Sequence, residues 1–200
     1  MNDLYVCHHE AAHAVIGAFF GIPPSAIDLK PHGGARPHVL AEQEGLVDSF
    51  PGDELQRLLI WASVRVVHLA VGSCAELRLG QRHEDCGWTG DMRQFEPLTT
   101  AIARLTGRSY DDCWWTLSGL AENLLTYDAL WQIVQQVASE LTESCRLSRE
   151  DIEALIDEPL RSLSSPRRDV VIDELKVWVD TPVSRMLALN PDAAWSLASG

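Results

Sequence analysis

The sequence predicts a mainly α protein, a helical bundle carrying one small β hairpin or edge strand. Three observations lead there. Apolar residues recur at three- and four-residue steps along much of the chain. Residues suited to capping a helix N-terminus, such as Ser109 and Ser148, stand just before such runs. Alternation of apolar and polar residues marks a short stretch around Ile27 and Leu29.

The first helix is expected over Tyr5–Phe20. Ala, Val, Ile and Phe dominate from Ala11 onward, no Pro interrupts, and Gly21 with Pro23 and Pro24 ends it. Within it lies His9-Glu10-Ala11-Ala12-His13. On a helix, His9 and His13 stand one turn apart on the same face. Two imidazoles so placed can hold one zinc ion at about 2.0–2.1 Å. Glu10 follows the first of them and lies beside the metal without having to bind it, the position of a base acting on water. The competing reading is a pair of core histidines satisfied by hydrogen bonds. Its difficulty is that a polar cluster inside an apolar helix needs partners.

Ser25–Lys30 then reads as a short strand. Pro31, Gly33, Gly34 and Pro37 make a turn, and His38–Ala41 returns as a second strand. Such an edge is either a template for an extended peptide or a structural flap. Residues 45–52 read as a loop. Asp53–Leu79 is the longest helical pattern, apolar nearly all round, and belongs in the middle of a bundle. Its most apolar run, Leu58–Leu77, is broken by Arg65, His68 and Glu76, which favours a core helix over a membrane span. Gly80 closes it, and residues 81–90 read as a polar loop.

A helix opens near Thr89–Asp91 and runs towards Leu105, with Pro97 leaving its start open. Further helices are expected from Ser109 to Leu125 and from Thr126 to Leu141. A short one opens at Ser148 and is stopped by Pro159. The Trp residues, Trp114, Trp115 and Trp131 among them, are taken as packing anchors. Residues 160–169 read as a linker, 170–179 as an amphipathic helix, and the remainder as a Pro-punctuated tail. The expected division is a domain over residues 1–159 and an extension over 160–200.

Two hundred residues with a hydrophobic content of 46% and 22% charged residues suit a soluble domain with a real core. The net charge of −13 and a pI near 4.8 argue against nucleic acid or an anionic membrane as partner. Five scattered cysteines without a Cys-x-x-Cys pattern suggest reduced thiols, and no signal peptide precedes the first helix; a cytoplasmic location is expected. No phosphate-binding Gly-x-x-x-x-Gly-Lys-Ser/Thr motif occurs.

A catalytic zinc usually takes three protein ligands and keeps one position open. Glu76, His83, Glu84, Asp85, Cys86 and Asp91 are all candidates for the third, and spacing alone does not choose. Asp91, at the start of a helix, is well placed; Glu76 is the runner-up.

The chain resembles the peptidase domain of the FtsH family, the membrane-bound AAA proteases. That family's zinc helix, His-Glu-Ala-Gly-His-Ala, is similar to His9–Ala14. Gly72-Ser73-Cys74-Ala75-Glu76-Leu77 with Gly80 resembles its Gly-x-Ala-Ala-Glu-Glu stretch and closing Gly. Thr89-Gly90-Asp91-Met92 resembles its Thr-Gly…Asn-Asp-Leu, whose aspartate is the third zinc ligand. Weaker likeness continues through Leu130–Leu141 and Leu147–Ile152, so the resemblance spans residues 4–157. Ala12 replaces the usual Gly, His8 replaces a frequent Tyr, and the Ser-Asn pair before the aspartate is missing. The ATPase domain and membrane anchor have no counterpart in the chain, nor do residues 160–200 match the family.

The resemblance implies zinc held by His9, His13 and Asp91, with Glu10 as general base in peptide-bond hydrolysis. Apart from the resemblance, Glu76 either orients a ligand histidine from behind or is an ordinary surface or core polar residue. The expected activity is a zinc endopeptidase acting without ATP on flexible or unfolded protein segments, or one fed by a separate ATPase. A homo-oligomer is compatible with this. The rival is an FtsH-like interaction or regulatory module that has lost proteolysis. A nucleobase deaminase, suggested by His8-His9-Glu10 as His-x-Glu, fails for want of Pro-Cys-x-x-Cys.

Overall fold

The computed structural model describes residues 4–22, 24–30, 38–41, 46–81, 88–164 and 166–189. They form helices α1 (Leu4–Phe20), α2 (Glu54–Arg78), α3 (Trp88–Thr106), α4 (Tyr110–Thr126), α5 (Asp128–Ser144), α6 (Arg149–Arg161) and α7 (Arg168–Leu189). Strands β1 (Pro24–Asp28), β2 (His38–Ala41) and β3 (Arg146–Ser148) make one antiparallel sheet in the order β2-β1-β3. The mainly α class with a small β element is therefore what the chain adopts.

Helix α2 is the centre of the bundle. It packs on α1, α3, α4 and α7, and every residue from Leu59 to Glu76 except Trp61 is buried. By length and composition it could cross a membrane, yet 89% of its most apolar window is buried inside the protein. Asp53 starts it with a reciprocal cap: its carboxylate accepts from the Gln56 N–H at 2.9 Å, and the Gln56 side chain accepts from the Asp53 N–H at 2.8 Å.

Helices α1 and α2 end in the same way. Gly21 and Gly80 take positive φ, 84° and 88°. At the end of α1, Gly21 and Ile22 donate to the carbonyls of Ala18 and Gly17 at 2.9 and 2.7 Å. At the end of α2, Gly80 and Gln81 donate to those of Leu77 and Glu76 at 2.9 and 3.1 Å. This paired closure satisfies carbonyls that a helix end leaves bare. It also fixes the last turn of α2, from which Glu76 projects.

Several boundaries differ from the sequence reading. A short 3-10 helix, Leu46–Ser49, lies in the stretch expected to be loop. Helix α3 starts at Trp88 and carries Pro97 in its interior. Pro159 does not stop α6; it sits in the last turn, and the helix closes at Arg161. Helix α5 begins at Asp128, not Thr126. Strand β3 was not anticipated, because three residues between two helices are too few to show alternation; Leu147 pairs with Ile27 and is buried.

Helix α7 extends well beyond the expected 170–179. It packs on α2 and α3 and adds Val171, Ile172, Leu175 and Val179 to the core. The Gln56 amide ties it to α2 through Asp180 at 2.6 Å. Trp131 is buried and Trp114 stacks on Phe95 at 4.3 Å, but Trp115 is 71% exposed and anchors no core. Cys7, Cys74, Cys113 and Cys145 form no disulfide.

Candidate metal centre

The first side of the site comes from α1. His9 and His13, one turn apart, point their Nε2 atoms together at a separation of 3.0 Å. Asp91, in the first turn of α3, brings Oδ2 to 3.2 Å from the His9 Nε2 and 3.5 Å from that of His13. A tetrahedral ion with bonds of about 2.0–2.1 Å holds its ligand atoms about 3.3 Å apart. The three separations straddle that value.

The far nitrogen of each ring is occupied. The Nδ1–H of His9 donates to Glu76 Oε1 at 2.6 Å, and that of His13 donates to the His68 carbonyl at 2.7 Å. Each bond puts the proton on Nδ1 and leaves the Nε2 lone pair for a cation, the usual arrangement behind metal-binding histidines. Glu76 thus meets His9 from behind and does not join the cluster. Among the other candidates, His83, Glu84, Asp85 and Cys86 lie outside the described residues.

Two further observations fit a cation. Asp91 Oδ2 is buried and accepts no aligned hydrogen bond, a cost that a cation would remove. Gly72 lets the α2 backbone come against the cluster: a Cβ there would lie 2.6 Å from both Nε2 atoms. An alanine methyl would press on the two nitrogen atoms that an ion there would need.

Without a metal, the site manages its charge with a proton. Burial disfavours the His9 cation, but the carboxylates of Asp91 and Glu76 outweigh it and raise the imidazole to about 10. Asp91 is itself buried, yet the two imidazoles hold its carboxyl well below the usual range. An entering ion must displace the proton that His9 carries, so binding releases it.

Glu10 is 5% exposed and close enough for its charge to act on His9. His8 turns away: its Nδ1–H donates to the Leu4 carbonyl at 2.9 Å, and its ring packs on Trp131. Burial lowers its pKa.

His68 and Arg65, to which the sequence reading gave no role, border the site. The buried His68 ring lies 5.2 Å from that of His13. Burial, with the neighbouring His13 and Arg65, holds it well below its ordinary pKa and so neutral. A signal was present in the sequence. Arg65, His68, Gly72 and Glu76 recur at three- and four-residue steps, a polar stripe along an otherwise apolar helix.

Comparison with known proteins finds no family model that matches the chain and no curated protein that matches it.

Removing the carboxylate behind His9 tests the arrangement. Glu76→Gln, which keeps size and an acceptor but loses the charge, is expected to weaken metal binding by about 10–100-fold. Titration against a competing chelator measures it, and unchanged affinity would show that the 2.6 Å contact does not support the ligand.

Proposed function

We propose that the chain is a zinc metalloendopeptidase of the FtsH peptidase type, hydrolysing peptide bonds in flexible or unfolded protein segments. The observation that carries this reading is the convergence of His9 Nε2, His13 Nε2 and Asp91 Oδ2, all within 4.8 Å of one another. Charge supports it too. Glu10, Glu76 and Asp91 all lie close enough for their carboxyl groups to act on His9, and such a group of acidic side chains favours a cation among them.

Bound there, zinc would act as a Lewis acid, polarising a peptide carbonyl and easing deprotonation of a water molecule. The protein's own groups do the rest. With their Nδ1 atoms committed to Glu76 and to the His68 carbonyl, His9 and His13 present Nε2 to the ion. Glu10 takes the proton of the attacking water and passes it to the leaving amine. Its neighbour His9 fixes where it sits on α1. Strand β2 lies at the edge of the sheet among the described residues, where an extended segment could add as a further strand.

The test is elemental analysis of the purified protein together with cleavage of a permanently unfolded protein, without nucleotide. One zinc per chain is expected, lost in both His13→Ala and Asp91→Ala, with cleavage in the native protein only. Zinc without cleavage would favour an interaction module over an enzyme. Absence of zinc from protein purified without chelators would overturn the metal centre.

A further inference from the structure

A metal centre would explain why His9 and His13 need partners, but not why α2 buries a further histidine, His68, and an arginine beside them. The contacts there are reciprocal. His13 donates its Nδ1–H to the backbone carbonyl of His68 at 2.7 Å, and the His68 ring donates its Nε2–H to the backbone carbonyl of His13 at 3.1 Å. Each residue therefore holds the other by ring and by main chain. Arginine only donates, so the 3.0 Å contact from the Arg65 guanidinium makes His68 Nδ1 an acceptor. That leaves the ring proton on Nε2, where the bond to His13 needs it.

Two glycines make the exchange possible. Gly72 admits the α2 backbone to the His9 and His13 rings. On the other side, a Cβ on Gly17 would stand 3.1 Å from His68 Nε2 and 3.1 Å from the Ile22 carbonyl. Gly17 is thus the notch in α1 that takes the His68 ring.

We propose that His68 is a positioning residue for the metal ligand His13, with Arg65 selecting the tautomer that does so. The proposal rests on the metal-centre reading above. It concerns orientation and not charge: a ring that accepts at Nδ1 and donates at Nε2 is neutral, so replacing it by another neutral side chain leaves the site's charge as it was.

The experiment loads the full chain with cobalt(II) and with zinc, and measures affinity and the visible cobalt spectrum. His68→Phe, which keeps a ring but has no donor, is expected to lose about 10–100-fold in affinity and to change the cobalt bands. His68→Gln, whose amide can donate to the same carbonyl, is expected to restore most of both. A folded His68→Phe with native affinity and spectrum would overturn the proposal while leaving the metal centre intact. A native protein that binds neither ion overturns the metal centre and this proposal with it. Nitrogen-15 NMR of labelled histidines decides independently of whether His68→Phe folds. The native His68 must be the neutral Nε2–H tautomer; a cation or the Nδ1–H tautomer would overturn the assignment. Arg65→Met is expected to leave a mixture of tautomers, and a pure Nε2–H form there would remove Arg65 from the scheme.

Discussion

Glu10→Gln is expected to keep one zinc per chain and to lose about 10²–10⁴-fold in peptide cleavage, the usual contribution of a positioned general base. The substitution keeps the shape of the side chain and removes only its capacity to accept and return a proton. Because Glu10 is not among the converging ligand atoms, metal content should not change. Measuring zinc and turnover on the same preparation separates the roles. Lost zinc would make Glu10 a ligand or a support for one. Retained zinc with undiminished cleavage would remove it from the reaction.

Gly72→Ala is expected to abolish metal binding at otherwise stoichiometric zinc. Backbone conformation does not require glycine here, since Gly72 lies inside α2 and is not among the positive-φ residues. Intrinsic helix propensity even favours alanine, by about 1 kcal/mol. Sterics oppose it. The new methyl would sit 2.6 Å from both Nε2 atoms and 2.7 Å from His9 Cδ2. The rings cannot swing aside cheaply, because each is held at Nδ1. Overpacking of this kind costs about 1–3 kcal/mol, so the chain should fold with a metal-free thermal midpoint near or below that of the parent. Zinc binding with native affinity in Gly72→Ala would show that close approach of α2 does not shape the site.

The helices were legible because their signals are local. Periodic apolar residues, the cap at Asp53, the Ser109 and Ser148 starts and the closing Gly21 and Gly80 all act within a turn or two of where they stand. The same holds for His9, Glu10 and His13, whose geometry follows from one turn of helix. Local signals also account for the errors. Pro159 forbids one backbone hydrogen bond and clashes one turn back, which the last turn of α6 accommodates without stopping. Strand β3 has three residues and is defined by its pairing with β1, not by any pattern of its own.

Sequence by itself determined the helical bundle, the face on which two histidines lie, and the carboxylate beside them. Spacing left six candidates for a third ligand, and the resemblance pointed to Asp91. Only the tertiary structure shows that Asp91 lies at the Nε2 side of His9 and Glu76 at the Nδ1 side. The meaning of Gly72, Gly17, Arg65 and His68 also appeared only there. Their work depends on how closely α2 lies against α1, a distance set by packing of two buried helices and carried by no residue alone.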